Sequence, residues 1–370
     1  MSEGLLMRSA PSASADLFHV LPLDIIDSFL YAELDGRKVA VIGVLERDRI
    51  EALGLGIEIL DPFSLGLDGL LNQGVGFLEA EIETDLRACR ELGLEGAIVP
   101  PDFPLAWADA LRGGGIELRV DADAFDLRRR RKTDAQLAGI RRAQAAADAA
   151  MTVGATLLRE LPAGLTCEQV RERMQEVCAE LDSELPDTVI VAHGAQSASG
   201  HEEGSGPIDR GGIVLIDIWP RDKASRCWAD MTRTFVAGGD EPPEELARYW
   251  ELAKASLERV YPLVRAGADC RAIYEASCEP FHAAGLPTQL TKEPGTVLQD
   301  GYFHGLGHGV GLEVHEAPSL GRMPDVLKAG DVITLEPGCY RRGFGGARLE
   351  DLVVVTDDGC EVLTDFPYDL

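Results

Sequence analysis

The chain is short of positive charge, of long apolar runs and of closely spaced cysteines, and each shortage removes a class of function. Its 370 residues carry 35 Lys and Arg against 63 Asp and Glu, a net charge of −28. Nucleic-acid phosphates need a basic surface to neutralise them, so this balance argues against a nucleic-acid partner. No apolar run approaches the length needed to cross a bilayer. The first twenty residues lack a basic segment followed by a long apolar one, and no signal peptide is read there. The eight cysteines (Cys89, Cys167, Cys178, Cys227, Cys270, Cys278, Cys339 and Cys360) include no C-x-x-C pair. A chain of this length needs no disulfide staples, so free, mostly buried thiols and a cytoplasmic location are expected. Neither H-E-x-x-H nor G-x-x-x-x-G-K occurs, and there is no internal repeat or low-complexity segment.

What is present fits an ordinary two-domain globular protein. Residues 1–127 alternate between α and β patterns. The β-type runs are "RKVAVIGVL" (37–45), "IEILD" (57–61), "GAIVP" (96–100) and "IELRV" (116–120). Asp35-Gly36 suits a hairpin turn, and Gly93 suits the C-cap of the helix before it. The aspartates of "DADAFD" and the basic run 128–132 mark a composition break, and the domain boundary is placed there. From residue 128 to 370, helices and antiparallel-type strands fall into separate blocks, which predicts an α+β domain. Thr133 to Gln136 reads as a capping box opening a long helix, and another helix starts near Thr166. Two more cover 242–264, with prolines in its first turn, and the segment closed by Gly285. Strands are expected at 187–193, 213–218, 228–236, 310–315, 331–336 and 348–356.

Histidine is scarce, yet three of the seven fall in "FHGLGHGVGLEVHE": His304, His308 and His315. One reading is structural, with His304 and His308 on one face of a turn. The other is a site, with Gly305, Gly307, Gly309 and Gly311 admitting close backbone approach. The glycine spacing does not match a phosphate-binding loop. Glu336, in "DVITLEPGCY", precedes a proline that biases it toward extended backbone. Glu350, in "ARLEDLVVVT", shares a strand face with Leu352 and Val354, so it is more than a solvated charge. Each glutamate alone fits an ion-pair partner as well as a metal ligand, because a buried carboxylate needs compensation of some kind.

Asp217 and Asp230 bound "DIWPRDKASRCWAD", thirteen positions apart. In an antiparallel hairpin the twelve intervening residues allow the two to oppose each other directly, with the turn near Lys223-Ala224. Opposed like charges destabilise a sheet unless a cation lies between them. In the alternative the register slips and the two never meet. Four carboxylates and one imidazole, mostly on strands, suit a two-metal site holding oxygen-preferring ions such as Mn2+.

The ordered set Asp217, Asp230, His308, Glu336, Glu350, with the flanks "DMTRTF", "HGLGHGVGLEVHE", "LEPGCY" and "ARLEDLVVVT", resembles the dinuclear metallopeptidases of the creatinase, prolidase, aminopeptidase P and methionine aminopeptidase family, over roughly residues 128–370. The resemblance implies a pita-bread catalytic domain with an antiparallel sheet. It also implies that residues 1–127 form the smaller α/β N-terminal domain of the Xaa-Pro peptidase branch. Asp217 would chelate one ion, Asp230 and Glu350 would bridge two, and His308 and Glu336 would complete the other. The ions would be two Mn2+, with Co2+ or Zn2+ as alternatives. His304 and Arg348 fall on the substrate-binding side, and Arg348 matches an arginine supporting the bridging carboxylate. His201 and His315 match histidines near the scissile bond.

The implied reaction is hydrolysis of the bond before proline in small peptides, by a metal-bridging hydroxide whose proton passes to Glu336. His201 and His315 would donate to the oxyanion and the leaving nitrogen. The implied enzyme is an Xaa-Pro dipeptidase or aminopeptidase, paired as a homodimer. The alternatives are a metal-independent creatinase-type amidinohydrolase and a non-catalytic peptide-binding relative. One departure from the family pattern stands out. Relatives commonly have glycine soon after the first aspartate and eleven positions between the pair, whereas here Ile218-Trp219-Pro220 follows and the separation is thirteen. An extension by two preserves strand parity. The expected register sets Trp219 opposite Trp228 as an aromatic pair beside the site.

Overall fold

A computed structural model describes residues 3–370. The chain divides into two compact units, Met1–Arg129 and Arg130–Leu370. Among the described residues no helix is long and apolar enough to cross a membrane.

The first unit is built on a six-stranded sheet in the order Ile57–Leu60, Arg37–Val41, Phe29–Leu34, Gly4–Ser9, Gly96–Val99, Glu117–Val120. The middle strands are antiparallel and the outer pairs parallel. Gly4–Ser9 and Phe29–Leu34 were not expected as strands, yet they fill the sheet's centre. Both are nearly continuous apolar runs with no alternation to betray them, as befits strands covered on both faces. The run at 37–45 ends as a strand at Val41, and a helix begins at Val44 after Gly43. Asp35 and Gly36 join two strands with φ of 49° and 82°, the paired left-handed geometry of a tight hairpin. Gly93 closes the helix Phe77–Leu92 at φ 74°.

In the second unit, capping boxes at Thr133–Gln136 and Thr166–Gln169 open the helices Asp134–Glu160 and Cys167–Glu180. The helix Glu244–Val260 has Pro243 as its N-cap, so its prolines precede the first turn instead of occupying it. Its partner, Cys270–Ala283, ends just before Gly285, which lies at φ 75°. The strands form antiparallel sheets. One runs Met231–Val236, Ile213–Ile218, Ile190–His193. Another runs Glu316–Leu320, Gly307–Gly309, Val332–Leu335, Asp351–Val355, Cys360–Val362.

The three-stranded sheet has two distinct faces. Val214, Ile216, Ile218, Met231 and Phe235 bury against the two long N-terminal helices of the unit. Asp217, Thr232 and Thr234 alternate with them and turn the other way, as a period of two requires. The run 345–355 crosses that second face. Gly345–Arg348 pairs with Gly338–Arg341, Glu350 bridges to Thr232, and Asp351–Val355 then joins the five-stranded sheet. The expected strand at 310–315 is absent: 310–315 is a loop between Gly307–Gly309 and Glu316–Leu320, with Gly311 N–H bonded to Glu313 O.

The hairpin register differs from the expectation by two residues. Asp217 pairs with Thr232 and Ile218 with Met231, and the count continues through Ala229 N–H to Pro220 O and the Arg221–Trp228 bridge. Asp217 and Asp230 are therefore diagonal neighbours on one face, not opposed. Trp219 lies across from Asp230, and Trp228 lies across from Arg221, whose guanidinium sits 5.1 Å from its ring centre. The turn explains the shift. It is a four-residue loop, 223–226, closed by Arg226 at φ 60°. Asp222 organises it by accepting from Ser225 N–H at 2.8 Å and Ser225 Oγ at 2.6 Å while paired with Arg142. Asp222→Ala removes these bonds from a buried position. It is expected to cost about 2 kcal/mol, read as a lower midpoint in urea unfolding.

Candidate metal centre

All nine residues singled out in the sequence line one cavity of about 760 Å3. Asp217 reaches it from the strand Ile213–Ile218, and Asp230 from just before Met231–Val236. His308 comes from the middle of Gly307–Gly309, and Glu336 from just after Val332–Leu335. Glu350 comes from the crossing between Arg348 and Asp351. Gly307 and Gly309 permit the short strand to pack. A Cβ on Gly307 would lie 2.0 Å from Thr334 O, and one on Gly309 would lie 2.2 Å from Ala317 O. The glycine-rich sequence around His308 thus serves close backbone approach.

The protonation of the two central histidines follows from their partners, since a carbonyl can only accept. His308 Nδ1 meets Gly309 O at 3.1 Å, so Nδ1 carries the proton and the Nε2 lone pair is free. That Nε2 lies 3.7 Å from Asp230 Oδ2 and 3.8 Å from Glu336 Oε1, too far for hydrogen bonds but near enough to share an ion. Burial, reinforced by His315, pulls His308 down to about 4, so it is neutral at pH 7 as a metal ligand must be. His315 stands edge-to-face against it, with ring centres 4.2 Å apart. His304 Nδ1 donates to Gly305 O at 2.8 Å, leaving Nε2 to accept from Tyr340 O–H at 2.9 Å.

The carboxylates sit in an environment that opposes their charge. Burial raises Asp230 and Glu350 well above the usual carboxylate range, and their mutual repulsion with Asp217 and Glu336 adds to it. Burial also lifts Glu336 to about 7 against the pull of Arg348. Asp217 Oδ1 and Asp230 Oδ1 are buried with no hydrogen-bond partner. Asp230, His308 and Glu350 offer ligand atoms that all lie within 4.8 Å of one another. Orphaned anionic oxygens, a free imidazole lone pair and crowded like charges are together what a divalent cation would satisfy. The residues therefore fit a metal ion.

Three supporting residues went unassigned in the sequence reading. Thr232 donates from Oγ1 to Glu350 Oε2 at 2.7 Å and accepts there from Arg348 Nε at 3.1 Å. Thr234 exchanges hydrogen bonds with the Arg348 backbone on the same face. Tyr340 accepts from Arg348 Nη1 at 3.1 Å and donates to His304. Arg348 pairs directly with Asp217 Oδ2 and reaches Glu350 only through the Thr232 hydroxyl. The signal for both threonines was the alternation in "DMTRTF", which sets Asp230, Thr232 and Thr234 on one face. His201 is exposed at the cavity's edge, and Trp219, Phe303, Ile190 and Val314 supply apolar wall.

The sequence pattern of metallopeptidase family M24 matches residues 138–357. A curated Xaa-Pro dipeptidase of Pyrococcus furiosus is 30% identical over 288 residues, 77% of this chain and 76% of that protein. Among solved structures, an Xaa-Pro dipeptidase from Bacillus anthracis superposes with a TM-score of 0.80 at 23% identity, covering 100% of this chain and 94% of that one. An X-Pro aminopeptidase from Thermotoga maritima gives 0.79 at 20% identity, covering 100% and 97%. Both structures share the fold.

The raised carboxyls carry a sign for stability. Glu336 titrates near 4.5 when unfolded and near 7 when folded, so between those values the folded state holds more protons. Asp230 and Glu350 act in the same sense. The melting temperature of chelator-treated protein should therefore fall as pH rises from about 4.5 through 7. Addition of Mn2+ should restore it most at the upper end. A chelator-treated melting temperature that rises across this window would contradict the assignment.

Proposed function

The chain belongs to metallopeptidase family M24 and is a hydrolase of that class, and from this premise we propose that it cuts the peptide bond preceding proline in small peptides. The observation that carries the proposal is the convergence of Asp217, Asp230, His308, Glu336 and Glu350 on one cavity with orphaned carboxylate oxygens. These five residues would hold two divalent ions, with Mn2+ favoured by an oxygen-rich set containing one imidazole. Bound there, the ions would acidify a water and polarise the scissile carbonyl.

The chain's own groups do the rest. Glu336, at the cavity wall beside His308, takes a proton from the attacking water and returns it to the proline nitrogen. His201 and His315 donate to the developing oxyanion and to the leaving nitrogen. Tyr340 and Arg348 keep His304 and Asp217 in place. The bond before proline is a tertiary amide with no N–H, so recognition rests on the ring's shape. Trp219, Phe303, Ile190 and Val314 offer apolar surface for it. A complete ligand set supports this reading over a metal-independent amidinohydrolase or a peptide-binding relative. Met1–Arg129 is read as the smaller N-terminal domain of the Xaa-Pro peptidase branch. Eight unpaired thiols, seven of them buried, support a reducing compartment.

Purified protein should hydrolyse Ala-Pro, Ala-Pro-Ala or both when Mn2+ is supplied, and lose that activity on chelation. The ratio of the two rates separates dipeptidase from aminopeptidase. His308→Ala should reduce turnover to background and lower the number of bound ions. Equal turnover by His308→Ala would refute the ligand assignment.

A further inference from the structure

Arg233 lies between two residues of the site's supporting strand but faces away from the cavity. Its side chain is 1% exposed, and all five of its N–H groups are used. Nη1 donates to Thr232 O at 3.0 Å and Glu350 O at 2.7 Å. Nη2 donates to Asp351 Oδ1 at 2.8 Å and Phe366 O at 2.9 Å, and Nε donates to Pro367 O at 3.2 Å. One planar cation thus ties the backbone on both sides of the metal-facing Thr232–Glu350 bridge to the chain's last residues.

Those last residues are pinned at several points. Leu363 N–H bonds Leu352 O at 2.8 Å, and Thr364 Oγ1 accepts from Leu352 N–H at 2.9 Å. Asp365 N–H reaches Asp148 Oδ2 on the long helix at 3.2 Å. Tyr368 O–H and Tyr261 O–H both bond Asp351 Oδ2, the oxygen that Arg233 leaves open. The rings of Tyr368 and Phe366 lie 4.7 and 5.8 Å from the guanidinium carbon. All six residues of the segment are exposed or half-buried, and Leu363, Phe366 and Tyr368 pack against the core from outside, so it is a strap laid on the fold and not part of its core.

We propose that Arg233 and the segment 363–368 form a strap that positions Glu350 for its ions. Glu350 is held at three points: its N–H by Thr232 O, its Oε2 by Thr232 Oγ1, and its carbonyl by Arg233. Two of these depend on Thr232, whose own carbonyl Arg233 also grips. Loosening Arg233 therefore frees both the carbonyl of Glu350 and the strand that orients its carboxylate. A lysine cannot substitute, since three donors on one atom cannot meet five acceptors spread around a plane. Arg233 is a positioning residue, acting through Glu350. The proposal rests on the two-ion reading of the site.

The test is Mn2+ titration of the metal-stripped full chain by calorimetry, with the electron paramagnetic resonance spectrum recorded at saturation. Unaltered protein should bind two Mn2+ and give the spectrum of a coupled pair. Arg233→Lys should keep its circular dichroism, weaken the looser Mn2+ by about 10- to 100-fold and lose the coupled signal, as supporting residues of metal sites do. A chain ending at Asp365 removes two of the five acceptors and Tyr368, and should shift in the same direction by less. If Arg233→Lys does not fold, the shortened chain decides. Two Mn2+ bound at unaltered affinity with the unaltered spectrum in the shortened chain would overturn the strap alone. An unaltered protein that binds no Mn2+ would overturn the two-ion reading, and the strap with it.

Discussion

Much of the second unit is arranged around an electrostatic conflict: Asp217, Asp230, Glu336 and Glu350 line one cavity. Carboxylates this close destabilise each other, and burial removes the water that would screen them. Arg348 relieves part of the conflict at Asp217, but its remaining reach goes to Thr232 and Tyr340. Two oxygens stay orphaned. The protein meets this cost with rigid scaffolding instead of neutral residues, as expected where charge is needed to hold a cation.

The scaffolding is economical because one strand serves two purposes. In Met231–Val236 the threonines at 232 and 234 turn toward the carboxylates, while Met231 and Phe235 bury against the long helices. Arg233, of the same parity as the apolar pair, is the exception on that face. Its charge is matched by Asp351, and its geometry by four backbone carbonyls. A buried arginine is tolerable when every donor finds an acceptor and one acceptor is anionic. The same fork that satisfies Arg233 also fixes the crossing of the 345–355 run over this strand, and with it the place of Glu350.

Legibility in the sequence followed the range of the interaction. Capping boxes at Thr133 and Thr166, the Asp35-Gly36 turn and the Gly93 cap are local, and each was readable from a few neighbouring residues. Gly4–Ser9 and Phe29–Leu34 were not, because a strand covered on both faces shows no alternation. The loop at 310–315 carries a strand-like pattern because its apolar positions alternate for another reason: Leu312 packs against a hydrophobic cluster and Val314 lines the cavity. The candidate site residues were readable as residue types in a known order. Their supports were not: Tyr340 meets His304, and Arg233 meets Phe366, across sequence distances that no local pattern records.

The hairpin shows why a wrong register left the site intact. Two strands slipped by two residues keep every side chain on its face. Asp217 and Asp230 consequently share the cavity although they stand diagonal to each other and not opposed. What the slip changes is the neighbour of each residue. Trp219, expected to meet Trp228, instead lies across from Asp230 and becomes part of the cavity wall, while Trp228 moves beneath Arg221 and donates to Leu312 O at 3.1 Å. Pro220 has no N–H to offer, so its rung is held only by Ala229 N–H to Pro220 O, and the regular ladder breaks there. The hairpin therefore sets an aromatic surface next to the carboxylates without disturbing them, since parity constrains the face and only the turn selects the partner.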